Sequence, residues 1–229
     1  MPPSRPEDAL IFALDVEDEA RARALVAALR PHVGTFKVGL ELLLRGGMDL
    51  AARIADGASL FIDAKLHDVP ATVSRAVLRV VESGVPVRFI TVHEPVRAAV
   101  EAASGRATIL RVTALTSIDP ARMGGADALT RYVVERAVEA RDEGAGGVVC
   151  SPNEARAVRA AVGAGTVIVT PGVRPAWADV KGDDQRRTAT VGEAIAAGAD
   201  HIVVGRPIRD AKDPVEAACR VVEEVAASR

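Results

Sequence analysis

Asp63 and Lys65 stand two residues apart at the end of an apolar run, in the segment Phe61-Ile-Asp-Ala-Lys-Leu-His-Asp-Val-Pro70. On an extended strand this spacing turns both side chains to one face, so an anion and a cation converge where the strand ends. An ammonium held by a carboxylate can deliver a proton or stabilise a developing negative charge; the same two residues can also form a structural ion pair with no chemistry. Asp68 adds a second carboxylate near the lysine, more than a simple pair requires.

Two further charges end or interrupt apolar runs. Asp15 closes Leu10-Ile-Phe-Ala-Leu-Asp15, and Lys37 lies within Phe36-Lys-Val-Gly39. Taken singly, Asp15 could be the N-cap of the helix that follows, a role Asp18 fills equally well, and Lys37 could be a lysine snorkelling out of a core. Taken together, four charges at predicted strand ends read more simply as one alternating network, because charged residues are rarely buried without partners.

A second constellation lies late in the chain: Thr170-Pro-Gly-Val-Arg174, Gly182-Asp-Asp-Gln-Arg-Arg187 and Val203-Val-Gly-Arg206. Gly205 and Arg206 suit a phosphate site, in which a glycine permits close approach and a guanidinium makes a fork of hydrogen bonds. They suit an ordinary helix start as well, with Pro207 in the first turn. His67 and His93 do not complete a metal site with Asp63 or Asp15, because the Lys65 ammonium would repel a divalent cation and compete for the carboxylates. Both histidines are expected to be hydrogen-bonded structural residues. Neither Cys150 nor Cys219 has the partner spacing of a nucleophile or metal ligand, so no metal is expected.

The elements that must position these residues follow from hydrophobic patterning. Eight short runs rich in Val and Ile lie near Ala9 to Asp15, Thr35 to Gly39, Ser59 to Lys65, Val87 to Val92, Thr108 to Val112, Gly147 to Cys150, Val167 to Thr170 and His201 to Val204. Between them run Ala-rich, charge-bearing stretches such as Glu17 to Arg30, Val69 to Ser83, Ala128 to Glu143 and Pro207 to Ala227, each long enough for a crossover helix. Eight βα units in 229 residues, with no Pro/Gly/Ser-rich linker, predict one α/β domain over 1–229, a TIM (β/α)8 barrel. A doubly wound open sheet has the same periodicity. In a barrel the charged strand ends meet at the C-terminal mouth, and the polar stretch Arg174 to Arg187 after the seventh strand is placed to cover it.

Composition narrows the function. A net charge of −2 leaves no basic surplus for nucleic acid or an anionic membrane surface, so small anions must be bound by local clusters. No run reaches the ~18 apolar residues of a membrane span, and the N-terminus lacks the apolar stretch of a signal peptide. Two unpaired cysteines fit a reducing compartment, and a cytoplasmic location is expected.

These residues resemble the orotidine 5′-monophosphate decarboxylase family from Leu10 to about Ile208. The D-x-K-x-x-D pattern is Asp63, Lys65 and Asp68. It is joined by Leu14-Asp15, Phe36-Lys-Val-Gly39, Val112-Thr-Ala-Leu-Thr-Ser117, Thr170-Pro-Gly-Val-Arg174, Gly182-Asp-Asp-Gln185 and Gly205-Arg206. One departure is Ala71 in Val69-Pro-Ala-Thr72, where many relatives have Asn, so a polar contact from that position is lost. The resemblance implies cofactor-free decarboxylation of a pyrimidine nucleotide, with Lys65 delivering a proton to C6 and Asp63 beside the departing carboxylate. It implies that Asp15 and Lys37 hold the ribose, that Thr116 and Ser117 lie near the base, and that Gln185, Gly205 and Arg206 hold the phosphate with Arg174 in support. It further implies a homodimer in which Asp68 and Thr72 reach the neighbouring subunit's site. The sister enzymes on this fold, magnesium-dependent decarboxylases and aldol synthases of sugar phosphates, typically have Glu where this chain has Lys37, and a non-catalytic phosphate-binding barrel would not need the four charges.

Overall fold

Strands buried on both faces need apolar residues at nearly every position, and the eight Val/Ile-rich runs meet that demand. In the computed structural model, which describes residues 3–178 and 188–229, they form β1 (Leu10–Ala13), β2 (Thr35–Gly39), β3 (Leu60–His67), β4 (Val87–Glu94), β5 (Thr108–Val112), β6 (Gly147–Val149), β7 (Val167–Thr170) and β8 (His201–Val204). Every neighbouring pair is parallel, and β8 closes on β1 through Leu10 opposite Ile202. The sheet is therefore a closed barrel, and the open doubly wound alternative is excluded.

The helices pack their apolar faces against the outside of the barrel, forming the larger core that includes Leu29, Ile54, Val77, Val133 and Val221. Helix Glu19–Leu29 starts at Asp18, whose carboxylate accepts the Arg21 N–H at 2.7 Å. This cap is the role that Asp15 might have filled, and it leaves Asp15 for the mouth. The stretch Pro207 to Ala227, expected to supply one helix, is divided into Arg206–Arg209 and Pro214–Ala227. Pro214 has no N–H to continue a helix, and Asp213 caps the second segment by accepting from Val215 and Glu216. On the outer face of β5, Arg111 is buried between Glu94 and Glu139, a bracing ion pair between barrel and helix.

Inside the barrel a separate apolar layer contains Ile11, Phe61, Phe89, Leu110, Val169 and Val203. Below it, at the N-terminal end of the strands, is a polar floor. Arg88 lies 3.4 Å from Thr35 Oγ1 and 3.4 Å from His201 Nε2, with its guanidinium 4.9 Å from the centre of the Phe89 ring. Burial, with Arg88 adding to it, pushes the His201 imidazole down to about 3.

A base whose folded value is depressed is bound to fewer protons in the native state, so stability falls as acid is added. His201 contributes fully above its unfolded value of 6.5, and the contribution drains away as pH falls toward about 3. Urea melts at pH 7, 5.5 and 4.5 are expected to show an acid slope approaching about 1.4 kcal/mol per pH unit from this one group. His201→Gln should flatten that slope, and parallel pH profiles for the two proteins would contradict the assignment.

Candidate active site

The parity of the inward-facing positions carries charge to the mouth. On β2, Lys37 follows Thr35 on the same face; on β3, Asp63 and Lys65 follow Phe61. Register then makes these residues neighbours: Ala13 stands opposite Lys37, and Gly39 opposite Asp63. The result is a continuous chain of alternating sign. Lys37 Nζ lies 3.0 Å from Asp15 Oδ1 and 3.5 Å from Asp63 Oδ2, and Lys65 Nζ lies 2.8 Å from Asp63 Oδ1.

Both central members are nearly out of solvent, with side chains 12% exposed. Burial works against the charge of Lys37, but Asp63 and Asp15 overcome it and hold its ammonium above the ordinary lysine value. Burial likewise opposes ionisation of Asp63, and Lys37 and Lys65 outweigh it, holding the carboxyl below the ordinary aspartate value. The charges of Lys37 and Asp63 are thus sustained by their neighbours against burial. Gly39 leaves room for them: a Cβ there would come 3.3 Å from Lys37 Nζ and 3.4 Å from Asp15 Oδ1.

Lys65 does not reach Asp63 by simple strand alternation. Opposite β4 the pairing runs Ile62 with Ile90 and then Leu66 with Val92, so three residues of β3 face the single residue Thr91. Lys65 sits in this bulge with φ of +48°, a left-handed conformation that costs a non-glycine residue on the order of 1 kcal/mol. The spacing foretold a shared face, whereas the bulge is what aims the two groups at each other.

A cavity of about 570 Å3 opens above the chain. Asp15, Lys37, Asp63 and Lys65 line one side; Thr116 and Ser117 come from the loop after β5; Arg174, Gly205 and Arg206 come from the segments after β7 and β8. Nine of the predicted site residues are therefore brought to one cavity. Asp68 and Thr72 are not among them: Asp68 accepts the Val69 N–H at 2.6 Å and lies beside His67 and Glu94 in a second, shallower recess, and Thr72 is in the first turn of helix Pro70–Val81. Gln185 lies outside the described residues. The His67 and His93 rings lie beside each other with centroids 5.9 Å apart.

Sequence reasoning missed two residues here. Arg209 lines the cavity, donates to the Asp15 carbonyl at 2.6 Å and so ties the last βα turn to the first. Its signal was the three-residue step from Arg206, which places both on one side of a helical turn. Thr91, 1% exposed, was the one hydroxyl in the apolar run Phe89-Ile-Thr-Val92, at an inward parity shared with Phe89. The cavity thus has a desolvated lysine–carboxylate wall and an arginine rim, a pairing suited to an anionic ligand whose charged group is anchored at one end while a second part meets the lysine.

Fold and site together define a (β/α)8 barrel with a lysine–aspartate wall and an arginine rim at its C-terminal mouth. A family model described as Orotidine 5'-phosphate decarboxylase / HUMPS family matches residues 8–221. Proteins named orotidine 5'-phosphate decarboxylase from Desulfosudis oleivorans and Anaeromyxobacter sp. (strain K) are 44% and 48% identical to this chain. Those alignments cover 96% of the chain and 94% of the first protein, and 93% of the chain and 96% of the second. A crystal structure of orotidine 5'-phosphate decarboxylase from Lactobacillus acidophilus superposes with a TM-score of 0.79 at 30% identity, covering 94% of this chain and 98% of that one. The chain belongs to the orotidine 5'-phosphate decarboxylase / HUMPS family. Among the described residues no helix is long and apolar enough to cross a membrane.

Replacing Lys37 by Met leaves the buried Asp63 with Lys65 as its only cation among the described residues, so Lys37→Met is expected to lose on the order of 1–3 kcal/mol of stability at pH 7. Asp63 has a depressed value in the wild type, so its contribution is present above about 4 and lost as pH falls through its folded value. The gap between wild type and Lys37→Met should therefore narrow at pH 3.5 in denaturant melts, and a gap independent of pH would contradict this electrostatic account.

Proposed function

We propose that this chain decarboxylates orotidine 5′-monophosphate to UMP and CO2, without a cofactor, as a step of pyrimidine nucleotide biosynthesis. The observation that carries the reading is the unbroken chain Asp15–Lys37–Asp63–Lys65, with contacts of 3.0, 3.5 and 2.8 Å, facing an arginine-rimmed recess. Family membership supplies the substrate; the geometry supports how the reaction runs.

When the bond from C6 to the carboxylate breaks, its electron pair stays on C6 and CO2 departs. No conjugated electron sink is available there, so a preorganised cation must stabilise the charge as it forms. Lys65 is that cation and the acid: its ammonium gives one proton to C6, leaving an amine that solvent reprotonates. Asp63 holds Lys65 in place, and Lys37 in turn keeps Asp63 ionised. Asp15 and Lys37 hold the ribose hydroxyls, Thr116 and Ser117 the base, and Gly205 and Arg206, with Arg174 and Gln185, the phosphate. Phosphate binding far from C6 supplies interaction energy that can be used to orient the reacting carbon.

The magnesium-dependent sugar-phosphate relatives in the same family offer the competing reading. Lys37 counts against it, since an ammonium already occupies the space between the Asp15 and Asp63 carboxylates and would repel a divalent ion. We further propose a cytoplasmic homodimer, in which Asp68 and Thr72 of each subunit complete the other's site.

Loss of orotidine monophosphate absorbance after exhaustive dialysis against EDTA tests the reaction and its metal independence together. The rate should be unchanged; a fall restored by magnesium would move the assignment to the sugar-phosphate relatives. Lys65→Ala should retain less than about a hundredth of the rate while still binding UMP, the loss expected for a general acid. Arg206→Ala should instead raise KM and lower kcat/KM, because the phosphate handle serves both binding and the transition state. If sites are shared, mixing inactive Lys65→Ala and Asp68→Ala subunits should recover roughly a quarter of wild-type activity, since half the dimers are mixed and each has one intact site. No recovery despite subunit exchange confirmed by mass spectrometry would assign Asp68 to its own chain's site.

A further inference from the structure

We propose that Thr91 is a positioning residue for the decarboxylation inferred above: its hydroxyl bridges the bulge of β3 and sets the angle at which Lys65 meets Asp63. The inference rests on that reading of the function and on three observations independent of it. Thr91 Oγ1 accepts the Lys65 backbone N–H at 2.9 Å, and the same oxygen donates to Asp63 Oδ1 at 2.9 Å. Thr91 is buried at 1% exposure, so no water competes for either bond. Lys65 is held at φ +48°, and the β3–β4 pairing skips from Ile62 to Leu66 around this single hydroxyl.

One hydroxyl has one proton to give and lone pairs to accept, and both are committed here. The N–H of Lys65, displaced from the regular ladder by the bulge, takes the Thr91 hydroxyl as its partner at a half-buried position. The Asp63 oxygen that takes the Thr91 proton is the same one that contacts Lys65 Nζ. Thr91 thus fixes the backbone of the lysine and the carboxylate that holds its ammonium. A strained backbone conformation persists only where its surroundings over-determine it, and Thr91 is the part of those surroundings that touches both sides of the bulge.

Valine has the shape of threonine without the hydroxyl, and serine has the hydroxyl without the methyl, so the two variants separate hydrogen bonding from packing. Thr91→Val should lower kcat between about ten- and a hundredfold, the range for losing a hydrogen bond to a charged group. KM for orotidine monophosphate and Kd for UMP should move by less than about threefold, because ribose and phosphate are held by other residues. Thr91→Ser should recover kcat to within about threefold of wild type. A residue that mattered only for packing would show the reverse order, with valine the milder change. Lysine acetylation by acetic anhydride, read peptide by peptide in the mass spectrometer, gives a second measurement that does not depend on turnover. Lys65 should label several-fold faster in Thr91→Val, and at the wild-type rate in Thr91→Ser, because a side chain no longer held against Asp63 meets the reagent more often.

An inactive wild-type protein would overturn the proposed reaction but leave the labelling test of Thr91 intact. An active wild type with Thr91→Val at unchanged kcat and unchanged Lys65 labelling would overturn the role of Thr91 alone. Should Thr91→Val fail to fold, serine decides: a Thr91→Ser protein with kcat reduced more than tenfold and faster Lys65 labelling would show that the hydroxyl is not what positions the pair.

Discussion

A carboxylate placed at the top of an apolar barrel core cannot remain ionised by itself, because removal from water penalises its charge heavily. Asp63 is in that position, above the layer of Phe61, Phe89 and Leu110, and it is ionised because Lys37 and Lys65 flank it. Lys37 depends on the Asp63 and Asp15 carboxylates in the same way. The mouth is therefore a single electrostatic unit, and its members cannot be interpreted one at a time.

That mutual dependence explains several otherwise separate details. The strands must be parallel and in the register that sets Ala13 beside Lys37 and Gly39 beside Asp63, or the charges would not touch. A side chain at position 39 would begin against the Lys37–Asp15 contact, 3.3 Å from the ammonium and 3.4 Å from the carboxylate, and glycine leaves that contact undisturbed. Asp18 must take over the helix cap for Asp15 to face the cavity. The bulge in β3 must have a hydrogen-bond partner, and Thr91 supplies it.

The barrel handles polarity differently at its two ends. At the floor, the buried His201 lies beside the half-buried Arg88, and burial is accommodated by keeping the imidazole neutral. At the mouth, charge is retained by alternating its sign. The first arrangement closes a core; the second holds ready-made ions at the edge of an open cavity, with Lys37 and Asp63 nearly out of solvent. The arginine rim borders the same cavity and is tied to the wall through the Arg209 bond to the Asp15 carbonyl.

By itself the sequence determined the eight strands, most of them within a residue or two, because strands buried on both faces leave an apolar signature that needs no knowledge of their neighbours. It also determined the chemistry of the wall, since Asp15, Lys37, Asp63 and Lys65 end or interrupt those runs where charge has no local reason to be. Only the tertiary structure decided that the sheet closes, which is a matter of β8 meeting β1 across nearly the whole chain. The same holds for the order of the charges, which depends on register between strands, and for the roles of Thr91 and Arg209, which act on residues 26 and 194 positions away. Periodicity along a chain reports which face a residue occupies; what it touches there is fixed by strands that the local sequence cannot see.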